Sequence, residues 1–264
     1  MSVNIIVNGC LGRMGKMICE TIEADKRFNL IGGLEAKDYC PKDGIARLEK
    51  GREILVKSSV LDFKESNAVI IDFTFPAVTL KLIEDCKKKG YSIVIGSTGF
   101  TEDEISSIEE SAKTISIVFG YNMSLGVNLL AKAVEMVASK LPFSYDVEIT
   151  EIHHKFKKDS PSGTAIKLGK SVTAGRNQKL EDVAIYGREG TTLDRPEGEI
   201  AMHAIRGGDV VGEHDVMFIG HGERIVLSHK AHSRMAFVQG AVEAANFVSS
   251  KDSGLFGMDE VLGF

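Results

Sequence analysis

The sequence has no excess of positive charge and no long apolar run. Its 264 residues carry 32 Lys and Arg against 37 Asp and Glu, a net charge of -5, so it lacks the basic surface with which proteins bind nucleic acid or an anionic membrane. No run approaches the roughly 18 apolar residues of a membrane-spanning helix. The opening MSVNIIVNG lacks the cationic segment of a secretory signal. We expect a soluble cytoplasmic protein with no nucleic-acid or membrane partner.

Cysteine is also scarce. Cys10, Cys19, Cys40 and Cys86 form no C-x-x-C pair and have no histidine at ligand spacing, which argues against a structural zinc site. We interpret them as free thiols in a reducing compartment and predict no metal site.

In the first half of the chain, short apolar segments alternate with amphipathic ones. Strands are predicted at 3–7, 28–35, 68–73, 92–96 and 115–119. Helices are predicted at 12–24, 76–89 and 101–113, the last with a capping-box pattern at its start. Near-continuous apolar strands that alternate with helices are typical of α/β proteins with a doubly wound parallel sheet. The first half therefore predicts a Rossmann-type domain.

The pattern changes after about residue 125. A predicted helix at 126–140 precedes a strand at 145–152, and three further strand-like segments have no helix between them, at 199–205, 210–219 and 223–230. These features predict a second α+β domain with a mixed or antiparallel sheet. Helical spacing returns at 233–249. We therefore expect residues 1–125 and 238–264 to form the first domain and residues 126–237 the second.

A glycine-rich turn follows the first predicted strand. Gly9-Cys10-Leu11-Gly12-Arg13-Met14-Gly15 opens the first helix, and Glu35 ends the second strand. Glycines let backbone amides approach a pyrophosphate at a helix N-terminus, and a carboxylate about 20 residues further on suits a ribose diol. The turn predicts dinucleotide binding. The alternative is that the glycines only let strand and helix pack closely.

Glu35 also bears on which dinucleotide is bound. An NADP site usually places a guanidinium against the 2′-phosphate, whereas Ala36 follows Glu35 here and only Lys37 is nearby. We expect NADH to be used at least as well as NADPH. Two further loops, GSTG at 96–99 and GYNM at 120–123, could carry backbone toward the nicotinamide, although either could be an ordinary strand-to-helix turn.

The segment HHKFKKDSPSGTA at 153–165 concentrates proton carriers and cations. If residues 151–157 run extended, His153 and Lys157 share one face. Ser160 or Ser162 could cap a following helix, where the amides of Gly163 and Thr164 would favour an anion. The segment predicts a site that binds a small carboxylate and transfers protons.

This segment has two other interpretations. A metal at His153 and His154 is disfavoured, because adjacent strand residues point to opposite faces and the nearby cations would repel it. A solvated basic strand edge stays an alternative.

Together these segments resemble the 4-hydroxy-tetrahydrodipicolinate reductase (dihydrodipicolinate reductase) family. The resemblance is strongest over residues 151–165 and covers nearly the whole chain. Further motifs stand in family order: GRMG at 12–15, DFT at 72–74, GSTG at 96–99, NMSLGVN at 122–128, RGGD at 206–209, GEH at 212–214, GE at 222–223 and SR at 233–234. Ala36 departs from the family pattern, because some relatives have an arginine there.

The resemblance implies roles for individual residues. His153 looks like the acid/base catalyst and Lys157 like the proton donor, while His154, Gly163 and Thr164 look like substrate ligands. The implied cofactor contacts are Gly9, Cys10, Leu11, Gly12, Arg13, Met14, Glu35, Gly96, Ser97, Thr98, Gly120, Tyr121, Asn122 and Met123.

The resemblance also implies a reaction and an assembly. Such enzymes use NAD(P)H to reduce 4-hydroxy-tetrahydrodipicolinate, a cyclic dicarboxylate, to tetrahydrodipicolinate in the diaminopimelate pathway of lysine biosynthesis. Hydride passes from the nicotinamide to ring C4 after water is lost. The enzymes are homotetramers joined through the sheet of the second domain, which would then serve both substrate binding and oligomerisation.

Two other functions suit the same domains. One is another two-domain NAD-dependent dehydrogenase of small amino or carboxylic acids, similar to aspartate dehydrogenase. The other is a non-catalytic dinucleotide sensor, which would leave His153 and Lys157 without a role.

Overall fold

The computed structural model describes residues 2–49, 51–191 and 194–264. The chain forms two compact units, Met1–Leu125 with Phe237–Phe264, and Gly126–Ala236. The strands are β1 Val3–Asn8, β2 Phe28–Leu34, β3 Ile45–Arg47, β4 Glu53–Lys57, β5 Val69–Asp72, β6 Ser92–Ile95, β7 Ser116–Phe119, β8 Asp146–His153, β9 Ala184–Ile185, β10 Ile200–Arg206, β11 Gly212–Ile219, β12 Arg224–Ala231 and β13 Gly254–Phe256. The helices are α1 Arg13–Ala24, α2 Pro76–Lys89, α3 Glu102–Ser111, α4 Leu125–Lys140, α5 Gly163–Arg176, α6 Leu180–Val183, α7 Met235–Val248 and α8 Met258–Leu262.

The first unit is built on an eight-stranded sheet in the order β13-β7-β6-β5-β1-β2-β4-β3. Every neighbouring pair is parallel except β3 with β4. Strand β2 lies on one side of β1 and β5 on the other, so the strand order reverses between β1 and β5. That position is the topological switch point of the sheet. The predicted doubly wound parallel sheet is confirmed.

Apolar residues cover both faces of this sheet. Neighbouring residues of one strand, such as Ile70 and Ile71, belong to different core clusters, because successive side chains of a strand point to opposite faces. One cluster includes residues of α1 and α7, and the other includes residues of α2 and α3. Burial on both faces explains why these strands are continuously apolar in the sequence.

Local signals set two helix boundaries of this unit. Helix α3 begins with a capping box, in which Glu104 N donates to Thr101 Oγ1 at 3.3 Å and Thr101 N donates to Glu104 Oε2 at 2.8 Å. Helix α2 starts at Pro76 and stops at Gly90, whose left-handed conformation (φ 66°) favours glycine. Both helices begin within a residue of the predicted position.

The second unit has a five-stranded sheet in the order β12-β11-β8-β10-β9. Strand β8 is parallel to β10 and antiparallel to β11, so the sheet is mixed, as predicted. One face packs against α4 and α5 around Ile149, Val172 and Phe218. Strand β8 alternates between buried and half-buried residues, and its last two buried positions are Glu151 and His153. The core face therefore ends in polar side chains beside the start of α5.

None of the helices described is long and apolar enough to cross a bilayer.

Candidate active site

The predicted cofactor loops of the first unit leave one edge of its sheet. Asn8 is in register with Asp72, Asp72 with Ile95, and Ile95 with Phe119. The loops that start at Gly9, Gly96 and Gly120 therefore follow the carboxyl ends of neighbouring parallel strands. Strands lie about 4.8 Å apart, so the loops after β1 and β7 begin about 14 Å from each other. This edge, at the switch point, is where doubly wound sheets bind ligands.

The glycine turn combines close packing with an open helix N-terminus. A Cβ on Gly15 would lie 2.0 Å from Gly9 O, so this glycine is needed for the helix to pack against the turn. Gly9 itself has φ +69°. The N-cap residue of α1, Gly12, supplies no side-chain hydrogen bond, and the first turn of α1 holds no acidic residue. Its amides therefore suit a pyrophosphate.

Glu35 lies beside this turn, as its position after β2 predicts. Its Oε1 accepts a hydrogen bond from Leu11 N at 2.7 Å. The carboxylate thus borders the segment that would hold the pyrophosphate. In a dinucleotide the ribose is attached to the pyrophosphate, so the ribose diol would lie near Glu35. The residues present fit such a cofactor.

Two predicted cofactor residues turn their side chains into the core. The Cys10 thiol faces Gly33, where a Cβ would lie 2.3 Å from Sγ, and burial raises the pKa of Cys10 to about 12. Met123 is buried in the same core cluster, whereas Tyr121 is exposed. Cys10 and Met123 can therefore face a cofactor only with their backbone.

A buried carboxylate at the end of β5 links the end of β1 to the loop after β6. Asp72, at the end of β5, is fully buried and accepts hydrogen bonds from Asn8 Nδ2 at 2.7 Å, Thr74 Oγ1 at 2.6 Å and Ser97 Oγ at 3.0 Å. Thr79 also donates its hydroxyl to Asp72. The Ser97 hydroxyl, a predicted cofactor contact, is thus already used to hold the loop. The DFT motif at 72–74 is the sequence signal for this cluster.

In the second unit, a hydrogen-bonded network surrounds His153. His153 Nδ1 lies 2.5 Å from Glu151 Oε2. Arg206 donates Nη1 to Glu151 Oε2 and Nη2 to Oε1, each at 2.7 Å, and Ser162 N donates to Oε1 at 3.0 Å. Burial alone would raise the pKa of Glu151, but the hydrogen bonds from Arg206 and His153 hold it below its ordinary value. Glu151 is therefore ionised near neutral pH.

Residues 151–157 do not run extended, so the condition under which His153 and Lys157 would share a strand face is not met. Strand β8 ends at His153, and residues 155–156 form a turn. His154 N donates to Val210 O at 2.8 Å and Lys157 N donates to His154 O at 3.1 Å, so the backbone bends instead of continuing the strand.

Lys157 nevertheless lies within electrostatic reach of His153. After burial, which is the main cause of the lowered pKa of His153, the Lys157 charge contributes in the same direction. Lys157 Nζ pairs with Asp159 Oδ2 at 2.9 Å. A turn, and not strand alternation, brings the ammonium near the imidazole.

The predicted anion site lies at the start of α5. Of the two candidate serines, Ser162 is the N-cap, and its Oγ accepts from Ala165 N at 3.1 Å. Gly163 and Thr164 begin the helix, and a Cβ on Gly163 would meet no atom within 4 Å. The backbone there is open to a ligand. His154 Nδ1 is buried and, among the residues described, has no hydrogen-bond partner, so it could take one from a ligand.

His214, at the start of β11, also belongs to this site and was missed as a site residue. Its ring is 5.1 Å from that of His153, and its Nε2 lies 3.1 Å from Ser162 Oγ. Because Ser162 Oγ accepts from Ala165 N, its own proton is free to be donated to His214. Burial, followed by the His153 charge, lowers the pKa of His214 to about 4. The neutral ring can therefore accept from Ser162 at physiological pH.

The lowered pKa of His214 predicts that the protein loses stability in mild acid. Between the ordinary pKa of 6.5 and the folded value of about 4, the unfolded chain binds a proton that folded His214 does not. Stability is full above pH 6.5 and falls as pH drops below it, by about 2 kcal/mol from this residue at pH 5. Urea unfolding of His214→Gln at pH 7.5 and pH 5 should show a pH dependence smaller by that amount.

The exposed His221 provides the control for this prediction, because His221→Gln removes an imidazole that lies on the surface. If His214→Gln unfolds with the full wild-type dependence, the assignment is wrong.

Within the described parts of the chain, no group of three His, Cys, Asp or Glu side chains is placed to hold a metal ion.

Comparison with known proteins adds independent information. A family model described as "Dihydrodipicolinate reductase, N-terminus" matches residues 3–123, and one described as "Dihydrodipicolinate reductase, C-terminus" matches residues 126–262. The 4-hydroxy-tetrahydrodipicolinate reductase of Nitrosomonas eutropha is 44% identical over 99% of this chain and 98% of its own length. That of Polynucleobacter necessarius is 42% identical over 99% of each chain.

A solved structure shares the fold. It is described as "Dipicolinate bound Dihydrodipicolinate reductase from Paenisporosarcina sp. TG-14" and superposes with a TM-score of 0.78 at 24% identity, covering 98% of this chain and 99% of that one.

Proposed function

The chain belongs to the dihydrodipicolinate reductase family, and from that premise we propose that it uses NAD(P)H to reduce 4-hydroxy-tetrahydrodipicolinate to tetrahydrodipicolinate in diaminopimelate and lysine biosynthesis. The observation that carries the proposal is an imidazole held by a buried carboxylate, with a lysine and a helix N-terminus beside it. The names of the full-length relatives support the same reaction.

The second unit binds the cyclic dicarboxylate. The amides of Gly163 and Thr164 at the N-terminus of α5 attract a carboxylate, and the helix dipole adds to the attraction. His154, with its buried Nδ1, supplies a further hydrogen bond.

His153 and Lys157 transfer the protons of the reaction. The ring becomes conjugated when its C4 hydroxyl leaves as water. When bound, the nicotinamide supplies hydride to C4 of that ring, and the neighbouring ring carbon then needs a proton. Lys157 donates that proton, and its own charge is balanced by Asp159. His153 exchanges protons through Nε2, because its Nδ1 is bonded to Glu151. A net hydride and proton thus enter the ring.

The first unit binds the dinucleotide through residues 9–14, Glu35, 96–98 and 120–123. Glu35 suits an adenosine ribose with a free 2′-hydroxyl, and Ala36 brings no guanidinium for a 2′-phosphate. NADH is therefore used at least as well as NADPH.

One assay tests the reaction, the cofactor and the two rival functions. The unstable substrate is generated in place, and oxidation of NADH and of NADPH is followed at 340 nm. We expect oxidation that depends on the cyclic substrate, at least as fast with NADH. Reduction of NAD⁺ with aspartate would favour an aspartate dehydrogenase. Dinucleotide binding without turnover of any substrate would favour a sensor.

Thr164→Val is predicted to raise KM for the cyclic substrate about tenfold and leave kcat within about twofold. Valine keeps the shape and the backbone amide but removes one hydroxyl, a loss of about 1.4 kcal/mol of binding. Thr173→Val, on the same helix but buried, serves as the control. Equal KM values for Thr164→Val and the wild type would show that the Thr164 hydroxyl does not bind the substrate.

We further propose that the protein is a homotetramer joined through the sheet of the second unit. The face of that sheet opposite α4 and α5 carries apolar side chains on four strands. Val226 of β12 pairs with Met217 of β11, and Ile205 of β10 pairs with Ile152 of β8. Val226 and Ile205 are each almost half exposed in the single chain. Burial of such a face between subunits would remove it from water.

Val226→Glu is predicted to dissociate the tetramer, because it would bury four unpaired carboxylates in the assembly. Light scattering should give four times the 28.7 kDa of one chain for the wild type and a smaller mass for the variant. Leu55→Glu, at an exposed apolar position of the first unit, should stay tetrameric. A monomeric wild-type protein would refute the assembly.

A further inference from the structure

Glu151 contacts Arg206 and Ser162 as well as His153, and the proposed function uses only the contact with His153. Its side chain is fully buried although it is charged, which costs several kcal/mol unless every lone pair is used. One oxygen meets His153 Nδ1 and Arg206 Nη1, and the other meets Ser162 N and Arg206 Nη2. Every partner must donate a hydrogen to the carboxylate, so the network works in one protonation pattern only.

This pattern fixes the tautomer of His153. A carboxylate with a lowered pKa has no proton to give, so the hydrogen between Glu151 and His153 belongs to Nδ1. The other nitrogen, Nε2, then carries the lone pair or the second proton. A Cβ on Gly212 would lie 3.0 Å from Nε2, so the glycine leaves room at that nitrogen.

The same carboxylate also holds the anion site. It accepts a hydrogen bond from the backbone N–H of Ser162, the N-cap of α5. Arg206, which clamps Glu151, also donates Nη2 to Asp159 O at 2.7 Å, and Asp159 pairs with Lys157. The pair therefore contacts His153 directly and reaches both the Lys157 turn and the start of α5.

We infer that Glu151 and Arg206 form a positioning pair, which fixes the tautomer and orientation of His153 and sets the imidazole against the Lys157 turn and the substrate-binding start of α5. The inference rests on the proposed function for its kinetic part only. A buried carboxylate on the distal nitrogen of an imidazole is a known means to hold the reactive nitrogen toward substrate.

The charged and titratable groups that face His153 come from four elements. They are Glu151 on its own strand, Lys157 on the following turn, Arg206 at the end of β10, and the neutral His214 ring on β11. Glu151 alone raises the pKa of His153, against burial and the two cations. Without the carboxylate, the pKa of His153 should fall further, and the protonated form should be rarer at neutral pH.

The test uses Glu151→Gln in the full-length protein. Glutamine replaces one acceptor oxygen of the carboxylate by an NH₂ group, which is a donor. That NH₂ group would face two other donors, either Arg206 and Ser162 or Arg206 and His153, depending on which way the amide is turned. We expect kcat at pH 7 to fall about 10- to 100-fold and the pH limb that reports protonated His153 to move to lower pH. Glu151→Asp, which keeps the charge, should restore part of the rate and move the limb back.

Glu148→Gln is a matched control on the same strand. Glu148 also bonds to a histidine and to arginines, with His203 Nε2 at 2.6 Å and Arg188 Nη1 at 3.1 Å, but it lies on the opposite face of β8. It should keep the wild-type pH profile. An equal loss of rate in both variants, or an unshifted pH limb in Glu151→Gln, would overturn the inference.

Nitrogen NMR of ¹⁵N-histidine-labelled protein tests the tautomer without any activity. The wild-type His153 signals, assigned from their loss in His153→Gln, should show a protonated Nδ1 and a titrating Nε2. A wild-type His153 with its proton on Nε2 and a bare Nδ1 would refute the positioning role even if Glu151→Gln does not fold. If the wild-type protein oxidises no NADH yet shows this tautomer, the proposed reaction fails and the positioning pair stands.

Discussion

Replacement of Lys157 by alanine is expected to lower kcat for the cyclic substrate about 10²- to 10³-fold, with KM changed less than about threefold. The ring carbon beside C4 must take a proton after hydride arrives, and a positioned general acid typically contributes 10²- to 10⁴-fold. Alanine removes the ammonium and leaves the backbone turn that Lys157 N makes with His154 O. Steady-state kinetics at saturating NADH separate the two parameters.

Lys158→Ala is the matched control, because Lys158 is the adjacent lysine and has no role in the proposed chemistry. It should turn over as the wild type does. Wild-type turnover in Lys157→Ala would remove the proposed donor. A large rise in KM with unchanged kcat would instead make Lys157 a substrate ligand.

Gly15→Ala is expected to have the largest effect on cofactor binding. The new Cβ would lie 2.0 Å from Gly9 O and 2.7 Å from Cys10 Cα, so the backbone of the turn must move. Overpacking of this kind costs about 3 kcal/mol or more when only backbone can yield. NADH affinity, measured by calorimetry, should fall at least about 100-fold, and the melting temperature should drop.

The control for this variant is Gly257→Ala. Gly257 is the N-cap of α8 in the same unit, at φ -103°, and a Cβ there would have no contact closer than 3.4 Å. It should bind NADH normally. Normal NADH binding by Gly15→Ala would show that the turn does not hold the pyrophosphate.

The sequence predicts those elements of the fold whose residues are apolar throughout or carry terminal signals. Strands β5 and β6 are short, lie in the centre of the sheet and each have three consecutive apolar residues, and α2 starts at Pro76 and ends before Gly90. Strand β4 was missed because its sequence, EILVK, has a charged residue at each end. The strand lies beside β3, the last strand at that side of the sheet. Strand β13 has three residues, too few for any periodic pattern.

The site was predictable to a different degree. Its residue types and the helix N-terminus at Gly163 follow from spacing, but the turn at 155–156 depends on the hydrogen bond from His154 N to Val210 O, which is far away in sequence. The alternation of apolar and polar residues along a strand cannot show a hydrogen bond to such a distant residue. The shared strand face that an extended segment would give His153 and Lys157 is absent for that reason.

Buried polar residues were the main omission. Asp72, Glu151 and His214 all lie in strands and are buried, yet a sequence does not show which carboxylate leaves water. One signal was present, since Val147, Ile149, Glu151 and His153 alternate on the buried face of β8. A charged residue at a core position of a strand must have buried partners, so it marks a network.

In the proposed function, the substrate lies against Lys157 and the N-terminus of α5. A crystal structure of the protein with NAD⁺ and dipicolinate, a planar analogue of the ring, measures this directly. We expect one carboxylate within about 3.2 Å of the Gly163 or Thr164 amide nitrogen and the ring within reach of Lys157 Nζ. Dipicolinate bound elsewhere, with Lys157 and the start of α5 left in solvent, would contradict it.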